Sequence, residues 1–183
     1  MTYIFCDIEG TYNSLKDDEK KEFIKLISKL DEKVYFSFIS TANIDFVLNY
    51  VNDIKQYIKN TNIELLAQIA NFEYINEQGE IKAVPCDVSK GMKMIYFQNS
   101  LEFAGNNIDN VIYIDDNANI FPLIYTMDME FNKRLKDGSL NFTVIEKDNQ
   151  SEKYCKDAIE IDQVKFISNN IVSFALEGLK QIK

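Results

Sequence analysis

Short apolar runs alternate with helix-period patterns along almost the whole of this chain. Strands that alternate with helices form a parallel sheet, because each return to the sheet needs a crossover, and the helices then cover both faces. The sequence therefore predicts an α/β protein with a three-layer, Rossmann-like core and a mainly parallel sheet. The predicted strands are residues 3–6, 34–39, 64–70, 110–114 and 142–146.

Amphipathic patterns between these runs predict the helices. We expect helices around 23–30, 47–58, 89–103 and 120–129, and a closing helix with Ile171, Val172, Ala175 and Leu179 on one face. Tyr12, Tyr35, Tyr96 and Tyr113 are expected to pack in the core. The polar stretches near 133–139 and 147–156 are the plausible insertions.

One further pair of apolar runs predicts a β-hairpin. Residues 72–75 and 81–84 are joined through a polar, glycine-containing turn at 77–80. The chain has 183 residues and neither a repeat nor a linker-like tract, so we expect one domain over residues 1–183.

Composition excludes several classes of function. The chain contains no histidine, which removes Ser-His, Cys-His and His-metal chemistry and leaves carboxylates, hydroxyls and lysine. A net charge of −9 argues against general binding to nucleic-acid backbones, which depends on Lys and Arg. The three cysteines are widely spaced, and no run is apolar enough to span a bilayer. A cytoplasmic protein without a membrane association is therefore expected.

Polar residues follow the carboxyl ends of three predicted strands. Asp7, Ser40 and Asp115 occupy these positions, and Lys90 lies at the start of a predicted helix. In open parallel sheets, ligands bind beyond the carboxyl ends of the strands, where the connections change direction. Carboxylates gathered at one place repel each other unless a cation lies among them, and a hard divalent cation suits oxygen ligands. The sequence thus predicts a site at this edge, with Mg²⁺ as the expected ion.

At these positions the chain resembles the haloacid dehalogenase-like phosphohydrolases. The string from Val88 to Gly91 and the preceding hairpin are similar to the Cof-type and sucrose-phosphatase-like branch of that family. The resemblance covers most of the chain. The matching motifs, in order, are Asp7-x-Glu9-Gly10-Thr11, Ser40 with Thr41 as a second candidate, Lys90, and Asp115-Asp116, which starts 25 residues after Lys90.

The resemblance implies a role for each of these residues. Asp7 would be a nucleophile that forms an aspartyl-phosphate, and Glu9 would be the general acid and base. Ser40 or Thr41 and Lys90 would bind the phosphoryl group. Mg²⁺ would be held by Asp7, the main-chain carbonyl of Glu9, Asp115 and Asp116. The expected activity is that of a magnesium-dependent phosphomonoester phosphatase, with transfer to an acceptor other than water as a second enzymatic possibility.

Two positions depart from the family pattern. Glu9 stands where the family usually has Asp, although the same Asp-Ile-Glu-Gly-Thr string is familiar from the enolase-phosphatases of methionine salvage. Asn119 stands where the Cof-like pattern often has a second Asp, and the adjacent Asp116 is the candidate to replace it.

The cap domain of Cof-type enzymes is missing from the sequence. Only five residues separate Val84 from Lys90, and the stretch from Thr11 to Val34 holds little beyond one helix. A site without a cap is open to solvent, so we expect either a large phosphorylated substrate or a neighbouring copy of the chain to cover it.

Other roles are open for several of these residues. Ser40 and Thr41 are candidate caps for the helix that begins near Asn43, and Asp116 or Asn117 is a candidate N-cap. The competing class of function is a catalytically weak or inactive protein of the same fold, whose acidic surface binds or inhibits another macromolecule.

Overall fold

The computed structural model describes residues 1–118, 129–151 and 164–182. It confirms the α/β fold: six parallel strands form a sheet with helices on both faces, and a separate β-hairpin follows the third strand. The helix expected at 120–129 lies almost entirely outside the described residues. In the part of the chain that is described, no helix has both the length and the apolar character needed to cross a membrane.

The elements are numbered in chain order. The strands are β1 (Thr2–Cys6), β2 (Val34–Ser40), β3 (Ile63–Ile69), β4 (Glu73–Ile75), β5 (Ile81–Ala83), β6 (Asn110–Asp115), β7 (Asn141–Glu146) and β8 (Val164–Ser168). The helices are α1 (Asp17–Ile27), α2 (Ile44–Lys55), α3 (Cys86–Phe103), α4 (Met129–Lys136) and α5 (Phe174–Leu179).

The middle strands are buried on both faces, as parallel strands between two helical layers must be. Every residue of β1 and β2 is buried, which explains why their sequences are nearly continuous apolar runs. On one face, Phe23 of α1, Val47 of α2 and Phe174 of α5 belong to one apolar core cluster. On the other, Met94 of α3 and Phe131 of α4 belong to a second. The three layers thus enclose two cores.

The order of the strands places a switch point between β1 and β6. Across the sheet the order is β3, β2, β1, β6, β7, β8. The chain therefore winds outward from β1 to β3, returns through the hairpin and α3, and winds outward again from β6 to β8. The carboxyl ends of β1 and β6 lie side by side, with Cys6 opposite Ile114. This arrangement creates a crevice at the edge where Asp7 and Asp115 lie.

The hairpin of β4 and β5 agrees with the sequence prediction. Its register pairs Glu73 with Ala83, Tyr74 with Lys82 and Ile75 with Ile81. The connections from Thr11 to Val34 and from Val84 to Lys90 are fully described, and neither contains a cap domain.

Several predicted elements differ from the structure. The stretch at 133–139, predicted to be an insertion, belongs largely to α4, whose buried Phe131 and Leu135 are outnumbered by polar residues. Strand β8 was not predicted, because as an edge strand it buries little beyond Ile167. The closing helix begins only at Phe174, so Ile171 and Val172 precede it and are exposed.

Two smaller corrections concern α3. The helix begins at Cys86, three residues before the predicted start, so Lys90 lies in its second turn instead of its first. Tyr96, predicted to be a core residue, is exposed on this helix, whereas Tyr12, Tyr35 and Tyr113 are buried as expected.

Candidate active site

A cavity of about 470 Å³ lies at the carboxyl edge of the sheet, over the switch point between β1 and β6. It is formed where β1, β2, β6 and the first turns of α3 meet. Of the residues named in the four motifs from Asp7 to Asp116, its lining contains all except Thr11. The lining residues are Asp7, Glu9, Gly10, Ser40, Thr41, Cys86, Lys90, Asp115, Asp116 and Asn117.

Strand pairing fixes the two central carboxylates. The N–H of Asp7 donates to the carbonyl of Ile114 at 2.8 Å, so the residue after β1 is held against the end of β6. Asp115 is the last residue of β6. Both aspartates are buried.

Lys90 joins these two aspartates. Its Nζ donates to Oδ1 of Asp7 at 2.7 Å and to Oδ2 of Asp115 at 2.8 Å, and all three side chains are buried. Burial alone would lower the pKa of Lys90, but the charges of Asp115 and Asp7 raise it above its ordinary value. The lysine is therefore a permanent cation between two carboxylates. Each carboxylate keeps its second oxygen for other contacts.

The site nevertheless has more negative than positive charge. Burial, and then the charge of Asp115, raise the pKa of Asp7 to about 7 although Lys90 lowers it. Burial also raises the pKa of the half-buried Asp116, as do its hydrogen bond with Asp115 and the charge of that residue. Three carboxylates share one lysine, so the cluster carries two uncompensated negative charges when all three carboxylates are ionised.

The geometry of this cluster fits a hard divalent cation. Carboxylate oxygens of Asp7, Asp115 and Asp116 lie within 4.8 Å of one another. Octahedral Mg²⁺ holds its ligands at 2.0–2.1 Å, so adjacent ligand oxygens lie about 2.9 Å apart and opposite ones about 4.2 Å, and the carboxylates would close in on a bound ion. The three aspartates predicted as metal ligands are thus close enough to share one ion. The carbonyl of Glu9 stays a prediction.

Comparison with models of known protein families gives no match for this chain. A search of curated proteins gives no match either. The roles of the residues at this site therefore have to be argued from their chemistry and geometry.

The two hydroxyl candidates lie side by side at the end of β2. The Oγ of Ser40 is buried and accepts a hydrogen bond from the N–H of Ala42 at 3.0 Å. The Oγ1 of Thr41 lies 3.5 Å from Sγ of Cys86. The cap of α2 is Asn43, whose side chain accepts from the N–H of Phe46 at 2.9 Å. Neither Ser40 nor Thr41 is therefore needed as the cap, and both line the cavity.

Thr11 is a residue whose role the motif did not reveal. Its hydroxyl donates to Oδ2 of Asp7 at 3.4 Å and accepts from the N–H of Asp116 at 3.0 Å. It thus ties the loop after β1 to the loop after β6. Tyr113 was assigned only to packing, but its hydroxyl donates to Oδ2 of Asp115 at 2.5 Å. In the sequence both residues look like ordinary turn or core positions.

The remaining candidates lie nearer the solvent. Glu9 is exposed at the rim of the cavity. Asn117 donates its N–H to Oδ1 of Asp115 at 3.0 Å, which makes Asp115 the acceptor of a local turn. Cys86 is exposed in the lining and was not predicted. Asn119 and any helix that Asp116 or Asn117 would cap lie outside the described residues.

Gly10 is required by two features of its position. Its φ is +72°, a left-handed conformation, and a Cβ built there would overlap Oδ2 of Asp116. We expect Gly10→Ala to displace Asp116 and to weaken the Mg²⁺ binding predicted for this site by about tenfold or more, with a loss of roughly 1–2 kcal/mol in stability from the backbone strain. Calorimetric titration and urea unfolding measure the two effects.

A matched control is Gly79→Ala, since φ at Gly79 is +77° but nothing lies within 4 Å of the added Cβ. This control should lose stability without losing Mg²⁺ affinity. Equal Mg²⁺ affinities for both variants would show that Asp116 does not need the space left by Gly10.

Proposed function

We propose that this protein is a Mg²⁺-dependent phosphomonoester phosphatase that works through an aspartyl-phosphate on Asp7. The observation that carries the proposal is the position of Lys90 Nζ, 2.7 Å from Asp7 and 2.8 Å from Asp115, with Asp116 in the same carboxylate cluster. The resemblance of the four motifs to haloacid dehalogenase-like phosphohydrolases supports the same chemistry.

Asp7 is suited to be the nucleophile because Lys90 and Thr11 fix its carboxylate at the cavity. One carboxylate oxygen attacks phosphorus in line, the bond from phosphorus to the leaving oxygen breaks, and the acyl phosphate that forms is readily hydrolysed. Lys90 keeps its proton throughout. Its charge offsets that of the transferring group, since it already lies between two carboxylates.

Glu9 is the candidate for the proton transfers. It lies in the loop that carries Asp7, at the open rim of the cavity. There it would give a proton to the leaving alkoxide and then take one from the water that attacks the phospho-enzyme. Ser40 and Thr41, on the adjacent strand end, would donate hydrogen bonds to the phosphoryl oxygens.

Asp7, Asp115 and Asp116 would hold the Mg²⁺. When bound, the ion would supply charge neutralisation for the phosphoryl oxygens and hold them in front of Asp7. The experiment that tests the proposal is hydrolysis of a generic aryl phosphate by the full chain, with excess Mg²⁺ and with a chelator. Activity that depends on Mg²⁺ supports the proposal, and absence of activity on aryl and alkyl phosphates alike contradicts it.

Asp115→Asn should weaken Mg²⁺ binding by about 100-fold or more and should remove the activity with it. The amide keeps the shape of the side chain but lacks the negative charge that a hard cation requires. Calorimetric titration measures the affinity, with Glu32→Gln as a control that makes the same chemical change at an exposed residue just before β2. An unchanged Mg²⁺ affinity of Asp115→Asn would show that other acidic residues are the ligands of the ion.

The second candidate function is binding or inhibition of another macromolecule without catalysis. The exposure of Glu9 favours it, because a general acid is more often held by buried neighbours. The aryl phosphate assay separates the two candidates, since a binding protein would show no Mg²⁺-dependent turnover.

A further inference from the structure

Large apolar side chains are exposed on the hairpin, which precedes the cavity-lining Cys86, and on α2, which follows the cavity-lining Thr41. Ile75 and Ile81 on the hairpin are 72% and 68% exposed, Tyr74 is 51% exposed, and Ile44 at the start of α2 is 57% exposed. Ile75 and Ile81 are directly opposite each other across the hairpin. They therefore form one apolar patch instead of two scattered residues.

The hairpin is anchored next to the phosphate-binding candidates. The N–H of Ala70 donates to the carbonyl of Ser40 at 2.7 Å, just before β4 begins. On the return, Cys86 lies 3.5 Å from Thr41, and both residues line the cavity. The chain therefore enters and leaves the hairpin next to residues that line the cavity.

The hairpin also offers backbone groups for pairing. Among the described residues, β4 and β5 form a sheet of their own with two strands, so the outer edge of each is unpaired. An exposed edge with apolar side chains is a surface to which an extended polypeptide segment can add.

The charge around this surface is mainly negative. Glu9 is exposed at the rim, and Glu73, Glu77 and Glu80 are exposed on the hairpin. Asp45 is exposed in the first turn of α2. Positive side chains at this edge are Lys82, which pairs with Glu80 at 2.9 Å, Lys93, which lies over the ring of Phe72, and Lys147, whose charge acts on Asp116. With a net charge of −9, the whole chain repels small anions and attracts cationic segments.

We propose that the substrate is a phosphorylated polypeptide segment with basic and apolar residues next to the phosphorylated side chain. This rests on the proposed phosphatase function. The apolar residues of the segment pack on Ile75 and Ile81, and its basic residues face Glu73 and Glu77. A second copy of the chain fits less well, since its own hairpin would bring the same acidic groups against this rim.

The test compares three synthetic peptides with one phosphoserine each, assayed with the full chain and excess Mg²⁺. The first has alternating Arg and Leu on both sides of the phosphoserine, the second has Glu in place of Arg, and the third has Ser in place of Leu. We expect kcat/KM for the first to exceed each of the others by at least about tenfold, and the margin over the Glu peptide to shrink at high salt.

Two protein variants locate the effect. The double variant Ile75→Ser/Ile81→Ser should lower kcat/KM for the Arg-Leu peptide by about tenfold or more and leave aryl phosphate hydrolysis within about twofold. Phe103→Ser is the matched control, because Phe103 is 97% exposed at the opposite end of α3, and it should change neither rate.

Other results would overturn the proposal while leaving the phosphatase function in place. One is an equal kcat/KM for the three peptides, and another is an unchanged kcat/KM of the double variant for the Arg-Leu peptide. A third is sedimentation in which wild type and Phe103→Ser are dimers and the double variant is a monomer, since the hairpin would then be a contact between copies of the chain. Absence of hydrolysis of aryl phosphates and of the phosphoserine peptides alike would reject the phosphatase function itself. Anisotropy of a labelled unphosphorylated Arg-Leu peptide then tests the docking surface alone, and equal binding by wild type and the double variant would reject that surface.

Discussion

Replacing Asp7 by asparagine should abolish the proposed phosphatase activity, with kcat lower by roughly 10⁴-fold or more. An amide cannot attack phosphorus to form an acyl phosphate, and it contributes no charge to the cation site. The fold should survive, because Asn has nearly the same shape and Lys90 keeps its bond to Asp115 at 2.8 Å. The measurement is single-turnover and steady-state hydrolysis of an aryl phosphate, with thermal unfolding as the check on the fold.

The control for this variant is again Glu32→Gln, which changes an exposed carboxylate to an amide away from the cavity lining and should hydrolyse like wild type. Acid quenching of the wild-type protein should trap a phosphoryl group on residue 7, and the asparagine variant should trap none. Turnover by Asp7→Asn close to that of wild type would reject the aspartyl-phosphate mechanism.

Replacing Lys90 by methionine should damage both stability and activity. Methionine fills most of the space but leaves two buried carboxylates facing each other, and removing one partner of a buried ion pair costs about 3–5 kcal/mol. We expect this loss in urea unfolding without Mg²⁺, and partial recovery with excess Mg²⁺, since the cation replaces the missing charge. Hydrolysis should fall by about 10³-fold even with Mg²⁺ because the phosphoryl group loses its lysine.

Lys20→Met provides the comparison for this change. Lys20 is a largely buried lysine on α1 that pairs with Asp53 at 2.9 Å, and neither residue lines the cavity. Its replacement should reduce stability without a specific loss of hydrolysis or any recovery with Mg²⁺. A Lys90→Met protein as stable and as active as wild type would show that the ion pairs of Lys90 with Asp7 and Asp115 are needed neither for stability nor for hydrolysis.

The parts of the fold that were predictable are those whose residues are buried on both sides. The short, continuous apolar runs of β1, β2 and β6 indicate strands that are buried on both faces. A parallel sheet then brings the residues that end or follow these strands to one edge. Asp7, Ser40 and Asp115 could therefore be placed together from the sequence. The edge strand β8 was missed because Ile167 is its one buried side chain, and the polar helix α4 because Phe131 and Leu135 are the two apolar side chains that it is seen to bury.

The parts of the site that were not predictable depend on distances between loops. Thr11 reads as a turn residue, and only the structure shows that its hydroxyl reaches both Asp7 and the backbone of Asp116. Gly10 also looks like an ordinary turn residue in the sequence, and only the structure shows that the side chain of Asp116 occupies the space that a Cβ would take. The exposure of Ile75 and Ile81 was also hidden, because an apolar strand pattern does not say whether another layer covers it.

The pairing of β1 with β6 has a consequence for how the chain acquires its site. Ile4 pairs with Phe36 on one side but with Ile112 on the other, more than a hundred residues further along the chain. During synthesis, β1, β2 and β3 can associate early, whereas the cluster of Asp7, Lys90 and Asp115 is complete only after β6 has emerged. Contacts of such long range form slowly. We therefore expect the backbone N–H groups around the carboxylate cluster to be among the last to become protected from hydrogen exchange during refolding.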